Sequence, residues 1–163
     1  MPQFFFTEKG YIRLMEEIEK LDRLLKTDIA KEIATAAAHG DLKENGEYHA
    51  AKEKQALTAA KLRNLQERYS GANVVRKDEL LPESSVTFGK RITIRETKSG
   101  AMRECTILGD GEADPDKGII AYNSPLASSL IGHKKGETVE VRLPAGLRTY
   151  EILECVFADG YQD

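Results

Sequence analysis

Three carboxylates at three-residue spacing stand out between His39 and His49: Asp41, Glu44 and Glu47. Residues three apart on a helix share one face, so the three acids would point the same way. Carboxylate oxygens are ligands that Mg²⁺ prefers, and this ion usually takes only one or two of them from a protein, together with waters and phosphate oxygens. The spacing therefore predicts half of a magnesium site, which a partner would have to complete.

A purely structural interpretation explains the same spacing. Asp41 could cap a helix, with Glu44 reaching back to it in a capping box, and Glu47 would add favourable charge near the same helix N-terminus. The two interpretations are compatible, because a cap can pre-position acids that later bind a metal. A zinc cluster of His39 and His49 with two of these acids is disfavoured, because a fixed tetrahedral set would have to span a turn and a helix.

Two helical patterns flank the acids and would hold them at the end of a hairpin. The first runs from Thr7, a candidate cap, to Ala38, with Gly40 as its stop. Its apolar seam, in steps of three and four, is close to a coiled-coil heptad: Tyr11, Leu14, Ile18, Leu21, Leu25, Ile29, Ile33 and Ala36. The returning seam alternates strictly between steps of three and four: Tyr48, Ala51, Gln55, Thr58, Leu62, Leu65 and Tyr69. Alanines near the tip would let the helices approach closely, or would simply favour helix.

The second half of the chain has the periodicity of strands. Four segments are β-branched or alternating, as strands are: 86–88, 92–94, 138–143 and 150–153. A turn at 144–146 joins the last two, and Ser124 as cap, Pro125 at the first position and Gly132 past the end predict a short helix. We therefore predict an α+β protein with an antiparallel helical hairpin over 1–75 (acidic tip at 39–47), a linker at 76–82 and a small antiparallel sheet domain with one short helix over 83–163.

Composition and charge restrict the class of protein. The formal net charge of the 163-residue chain is −3, so it lacks the basic excess of a protein that binds nucleic acid by electrostatics alone. No apolar run approaches the roughly 20 residues of a membrane span, and no signal-peptide pattern is present, so we expect a cytoplasmic protein that does not enter membranes. Cys105 and Cys155 lie in strand-like segments and are expected to be buried and reduced.

The tip stretch resembles the signature of a known family. Residues 38–53, Ala-His-Gly-Asp-Leu-Lys-Glu-Asn-Gly-Glu-Tyr-His-Ala-Ala-Lys-Glu, are similar to the tip of the bacterial GreA/GreB transcript cleavage factors. The resemblance continues through 86–89 (Val-Thr-Phe-Gly), 109–114 (Gly-Asp-Gly-Glu-Ala-Asp) and 123–127 (Asn-Ser-Pro-Leu-Ala). It covers essentially the whole chain in one order, and it implies a second domain that resembles the FK506-binding protein fold.

The resemblance also implies a partner and a shared active centre. Such a factor enters the secondary channel of bacterial RNA polymerase and stimulates the polymerase to cleave backtracked nascent RNA near its 3′ end. Asp41 and Glu44, which match the family pattern, would help to hold a catalytic Mg²⁺ and its attacking water, while the polymerase supplies the remaining ligands. The chain would then be a monomeric accessory factor and not itself an enzyme.

Two lysines are candidates for contact with RNA phosphate: Lys43 beside the acids, and Lys52 on the returning helix. Ala37 and Ala38 stand where the family often has Arg-Glu, which would weaken a basic contact to extruded RNA. Gly46 replaces a usual alanine and would cost about 1 kcal/mol of helix propensity. The second helix is therefore expected to fray at its start.

The second domain contains three candidate residues for docking to the polymerase: Tyr122, Ser124 and Pro125. Ser124 and Pro125 could also simply start a helix.

A calcium-binding loop in the second domain is excluded. The alternating acids at 110–116 look like the start of a calcium loop. However, this loop needs Gly at its sixth position and Glu at its twelfth, and the chain has neither.

Other functional classes fit the residues less well. A stand-alone metal-dependent hydrolase would need more ligands than one turn offers. A prolyl isomerase would need an aromatic floor for its pocket, and the chain has no Trp. A related factor that occupies the same channel but inhibits the polymerase would share the architecture, and the intact pair Asp41 and Glu44 favours cleavage over inhibition.

Overall fold

A computed structural model describes residues 3–40 and 45–161. Its contacts divide the chain into two compact units, which we call the hairpin unit (Ile12–Gly71) and the β-rich unit (Met1–Tyr11 with Ala72–Asp163). The sequence prediction assigned residues 1–75 to the hairpin. The structure instead groups the first residues with the β-rich unit, because strand β1 (Phe4–Phe6) and Thr7 make their long-range contacts there.

The helices of the hairpin follow the predicted seams. They are α1 (Glu8–Leu24), a π-helical turn (Leu25–Ile29), α2 (Ala30–Ala37) and the returning α3 (Gly46–Ser70). Thr7 caps α1 as predicted, since its Oγ1 accepts a hydrogen bond from the backbone N–H of Gly10 at 3.0 Å. Every seam residue of the first helical stretch is buried or half-buried, and in the α3 seam Tyr69 is the exposed member. No helix in the described part of the chain is long and apolar enough to cross a membrane.

The π-helical turn was not predicted, and the spacing of the seam explains it. After Leu21 the seam takes three consecutive steps of four, which end at Ile33. In a continuous α-helix each residue rotates the chain by about 100°. The segment from Leu21 to Ile33 would therefore rotate by three full turns plus about 120°. The extra residue of a π-turn absorbs about 100° of that rotation. Ile33 therefore stays on the seam, and Ile29 between them is fully buried.

The β-rich unit is built on a five-stranded mixed sheet. Its strands are β3 (Lys90–Glu96), β4 (Met102–Leu108), β5 (Ile119–Ala121), β6 (Thr138–Leu143) and β7 (Gly146–Phe157), in the order β5-β4-β3-β7-β6. The predicted strands at 92–94, 138–143 and 150–153 are confirmed, as is the turn before Gly146. The α+β class is confirmed, but β5 runs parallel to β4, so the sheet is not purely antiparallel.

One predicted strand is wrong. Residues 86–88 form no strand, because Val86 is fully buried in the core and its backbone N–H donates to the carbonyl of His133 at 2.9 Å instead of to a sheet neighbour. The predicted short helix is confirmed as α4 (Pro125–Leu130), and Leu126, Ala127 and Leu130 of this helix lie in the same core.

A second, two-stranded sheet and several hydrogen bonds hold the predicted linker against the β-rich unit. Strand β1 pairs in parallel with β2 (Ala72–Val74). The carbonyl of Val75 accepts from the hydroxyl of Tyr161 at 2.6 Å, and the ammonium of Lys90 donates to the carbonyls of Leu81 and Pro82. Residues 76–82 are therefore packed along this unit, and they do not form a free tether.

Burial shifts the pKa of several groups in the β-rich unit. It lowers the pKa of Lys90, whose side chain is fully buried and whose Nζ lies 4.5 Å from the ring centroid of Phe157. It raises the pKa of the Tyr161 phenol and of the Cys105 and Cys155 thiols. Both cysteines are free and buried, as predicted. Cys105 and Cys155 pair with Ile92 of β3 from opposite sides. The two cysteines are therefore about two strand spacings apart, which is too far for a disulfide.

Candidate functional site at the hairpin tip

The predicted site residues of the tip fall in a short gap between two described flanks. Asp41, Lys43 and Glu44 lie outside the described residues, so their predicted roles remain predictions. On one side α2 ends at Ala37, and Gly40 has a φ of +120°, a conformation that favours glycine. On the other side the chain is described again from Asn45.

Asn45 is the residue that joins the two flanks. Its side-chain oxygen accepts from the backbone N–H of Tyr48 at 3.1 Å, which makes it the N-cap of α3. Its side-chain amide donates to the carbonyl of Ala36 in the last turn of α2. One side chain therefore caps the returning helix and ties it to the outgoing one, which fixes the two ends between which the acidic stretch lies.

This geometry corrects the predicted start of the returning helix. Helix α3 begins at Gly46, so its cap is Asn45 and not Asp41. Gly46 occupies the first helical position, where the propensity cost of an interior glycine does not apply in full. The sequence carries this signal, because Asn is among the strongest N-cap residues, but the capping-box pattern of Asp41 and Glu44 is an equally good signal. Glu47 lies in the first turn with its side chain exposed, in the predicted place for favourable charge.

The described surroundings of the tip hold no metal site of their own. His39 and His49 are exposed, and within 3–40 and 45–161 no group of three or more His, Cys, Asp or Glu side chains could hold a metal ion. Two carboxylates are a suitable partial donor set for Mg²⁺, which is commonly bound by one or two protein acids together with other oxygens.

Two alanines of the distal hairpin lie in the buried seam between its helices. Ala36 and Ala51 are buried, with 4% and 6% of their surface exposed, whereas Ala34, Ala38 and Ala50 are exposed. A surface groove of about 580 Å³ runs beside them, and an ion pair between Lys54 and Glu32 (3.1 Å) links the two helices where both residues line it. Burial of Ala36 and Ala51 agrees with the expected close approach of the two helices, and the exposed alanines simply favour helix.

Lys52 is exposed on α3, two turns from its cap, with its charge available to solvent. It lies on the tip half of the helix, where a contact to a polyanion would need no rearrangement of the seam. The role predicted for Lys52 is compatible with this position.

In the β-rich unit, the predicted docking residues divide into two kinds. The Ser124 hydroxyl accepts from the backbone N–H of Ala127, and Pro125 is the first residue of α4, so both start the helix as the structural interpretation expected. Tyr122 instead packs edge-on against Phe5, with ring centroids 5.4 Å apart. The ring centroids of Tyr122 and Phe88 are 6.4 Å apart. These rings border a groove of about 280 Å³. Leu80 and Leu81 form its far wall.

Comparison with known proteins shows to which family the chain belongs. A model described as "Transcription elongation factor, N-terminal" matches residues 4–74, and one described as "Transcription elongation factor, GreA/GreB, C-term" matches residues 81–156. The chain belongs to the GreA/GreB family. The two matched segments together span most of the chain. They contain the tip stretch and Tyr122, whereas Val75, Glu79 and Leu80 of the groove lie between them.

Individual members of the GreA/GreB family align along nearly the full chain. Transcription elongation factor GreA of Xanthomonas axonopodis pv. citri is 39% identical over 94% of this chain and 97% of its own length. The GreA of Nautilia profundicola is 42% identical over 94% of each chain. Among solved structures, GreA factor homolog 1 of Thermus thermophilus is 21% identical, with a TM-score of 0.44 over 94% of this chain and 99% of that one.

Proposed function

We propose that this protein is a transcript cleavage factor: it enters the secondary channel of bacterial RNA polymerase and stimulates the polymerase to cleave backtracked nascent RNA. The observation that carries the proposal is the acidic stretch at 41–44, placed by sequence between the two helix ends that Asn45 joins. Membership of a family of transcription elongation factors supports it. In this role the chain is an accessory factor, and the polymerase carries the active centre.

Asp41 and Glu44 are the residues that would hold the metal. They supply two carboxylate ligands, and the polymerase and the RNA supply the other oxygens, because Mg²⁺ in such sites is shared between protein carboxylates and phosphate. When bound, a second Mg²⁺ lowers the pKa of a water molecule and stabilises the charge of the phosphodiester transition state. The chain's own contribution is to carry two acids on a stiff, narrow hairpin.

Several other residues have supporting roles in this proposal. Asn45 holds the ends of the acidic stretch at a defined separation through its bonds to both helices. Lys43 and Lys52 offer positive charge to the RNA 3′ end, and the groove around Tyr122 belongs to the surface that contacts the polymerase. The negative net charge fits this division of labour, because the polymerase and not the factor holds most of the RNA.

The experiment is RNA cleavage in a backtracked bacterial elongation complex with Mg²⁺. We would compare the wild type with Asp41→Ala and Glu44→Ala, with Glu47→Ala as the matched acidic control and RNA without polymerase as the second control. Cleavage that needs polymerase, is lost in both tip variants and persists in the control variant would support the shared-metal role. Polymerase binding by the two tip variants should remain at the wild-type level.

Two other results would each assign a different function. Wild-type protein that binds the polymerase without stimulating cleavage would identify an inhibitory factor of the same architecture. Cleavage of free RNA would identify a nuclease in its own right and would overturn the accessory role.

A further inference from the structure

The groove around Tyr122, which lies within the β-rich unit, combines aromatic walls with a carboxylate. The rings of Phe5, Phe88 and Tyr122 have their centroids 5.4 to 6.5 Å apart, and all three residues are half-buried. Among the described residues that line the groove, the charged one is Glu79, which is exposed. Aromatic rings attract a cation through their quadrupole, and a neighbouring carboxylate adds the opposite charge. The groove therefore has the chemistry of a receptor for a positively charged group.

The wall that carries Glu79 is held in place on both sides of this residue. On one side, the hydroxyl of Tyr161 donates to the carbonyl of Val75 at 2.6 Å. On the other side, the ammonium of the buried Lys90 donates to the carbonyl of Leu81 at 3.0 Å. Val75 and Leu81 both line the groove. The wall is therefore ordered before a partner binds, and such preorganisation lowers the entropic cost of binding.

A local hydrogen bond fixes Glu79 and leaves it able to accept others. Its Oε2 accepts from the backbone N–H of Arg76 at 3.0 Å, which caps the short 3₁₀ helix Lys77–Glu79. An ionised carboxylate has about four lone-pair sites, so one such bond leaves most of its accepting capacity for a partner.

The surroundings of the same wall are negatively charged. The pKa of the Tyr161 phenol is raised chiefly by burial, and the charges of Glu112, Glu8 and Glu79 raise it further. Three carboxylates thus act on the residue that holds Val75 in place. Complementary charge at an interface favours a cationic partner and disfavours an anionic one.

We propose that the groove around Tyr122 receives an arginine side chain of the polymerase. Its volume of about 280 Å³ is below the roughly 300–1,000 Å³ of pockets for drug-sized ligands, so it suits one long side chain. Arginine fits best, because its guanidinium stacks on aromatic rings and binds a carboxylate through two parallel hydrogen bonds. This inference rests on the function proposed above, which assigns the groove to the polymerase-binding surface, and it names the group that the partner presents.

The test is the affinity of the full chain for immobilised bacterial core RNA polymerase, measured by biolayer interferometry. Glu79→Gln keeps the oxygen that accepts from Arg76 and removes only the charge. It should raise the dissociation constant by roughly tenfold, the order expected when a charge-assisted hydrogen bond becomes a neutral one. Asp78→Asn is the matched control, because Asp78 is an exposed acid of the same 3₁₀ helix and is not among the residues that line the groove. It should bind like the wild type.

The aromatic wall is tested by Tyr122→Leu, which removes the ring, and by Tyr122→Phe, which keeps it. The first should weaken binding several-fold, and the second should restore most of the affinity. If both groups contact one arginine, Tyr122→Leu and Glu79→Gln combined should lose less than the product of the two single losses.

Three results would overturn the inference: wild-type affinity in Glu79→Gln, equal losses in Glu79→Gln and Asp78→Asn, or a double variant that loses the full product. The first would assign the groove to an apolar group, and the second would indicate a general effect of charge. A wild-type chain that does not bind the polymerase would instead overturn the proposed function.

Discussion

Deletion of Thr27 should leave the hairpin folded, because the π-turn already accommodates one residue too many. Removal of any residue between Leu25 and Ile29 changes the seam steps to 3, 4, 3, 4, 3, 4 and 3, which is the strict alternation that α3 already has. The chain from Leu21 to the residue now at Ile33 would then turn about 20° beyond three full turns in a continuous α-helix. In the intact protein the π-turn reduces the excess rotation from about 120° to about the same 20°. The side chain of Ile33 should therefore face the seam in both proteins.

The energetic consequence is small. Thr27 is exposed, and its hydroxyl donates to the carbonyl of Arg23 at 2.7 Å, with a longer contact of 3.4 Å to Oδ1 of Asp28. Loss of this exposed hydroxyl costs about 1 kcal/mol, and replacement of a rare π-turn by regular α-helix offsets part of that cost. We therefore expect the free energy of unfolding to change by less than about 1 kcal/mol.

The matched control is deletion of Ala60 from α3, which has no π-turn to absorb it. This deletion rotates the rest of α3 by about 100° and turns Leu62, 7% exposed in the intact chain, away from the seam. Loss of a buried leucine contact costs about 2–5 kcal/mol. Urea denaturation followed by far-ultraviolet circular dichroism measures both variants. Equal destabilisation by the two deletions would refute the geometric explanation of the π-turn.

Three further substitutions test other parts of the structure. Asn45→Ala removes the cap of α3 and the bond across the tip, and should lower the free energy of unfolding by about 1–2 kcal/mol. Asn45→Ser keeps a capping oxygen without placing a carboxylate against the Ala36 carbonyl. A loss as large as that of Ala in urea denaturation would therefore contradict the cap assignment. Gly109→Ala should cost about 1–3 kcal/mol by overpacking against β1, whereas Gly160→Ala, with no atom within 4 Å, should be nearly neutral in thermal denaturation. Because burial lowers the pKa of Lys90 from 10.5, the unfolded state binds more protons between the lowered value and 10.5. Lys90 therefore contributes a rise of the free energy of unfolding with pH through that window, whereas the raised pKa values of Cys105, Cys155 and Tyr161 contribute a fall. The slope of the free energy of unfolding against pH should accordingly be more negative in Lys90→Met than in the wild type, and equal slopes would contradict the assignment.

The hairpin was predictable because its signal is periodic and long. The seam from Tyr11 to Ala36 repeats often enough that only a helix fits the pattern. The seam positions that the helical period predicts are buried or half-buried. The π-turn is also encoded there, in three successive steps of four. Periodicity alone does not specify whether a π-turn absorbs the excess rotation or the seam drifts around a regular helix.

The features that sequence missed depend on contacts between distant residues. Strand β1 is three residues long and pairs with β2, far along the chain, so no local pattern marks it. The parallel pairing of β5 follows from the path of the connection after β4, which periodicity does not specify. From sequence Asp41 is as good a cap as Asn45. The bond from the backbone N–H of Tyr48 to the Asn45 side chain, and the bond from that side chain to the carbonyl of Ala36, identify Asn45 as the cap.

The tip acids themselves were identified by chemistry and resemblance, and their role remains a prediction. The two helical seams contain neither Asp41 nor Glu44, and both residues lie outside the described part of the structure. A measurement of activity tests their predicted role directly.

The most direct measurement is the dependence of the cleavage rate on Mg²⁺ concentration in a backtracked elongation complex. If Asp41 and Glu44 are metal ligands, Asp41→Asn and Glu44→Gln should each need a higher Mg²⁺ concentration to reach half of their maximal rate, and added Mg²⁺ should restore part of the lost activity. Glu47→Gln should follow the wild-type curve. Variants of Asp41 and Glu44 that cleave slowly but with an unchanged Mg²⁺ dependence would contradict the shared-metal account.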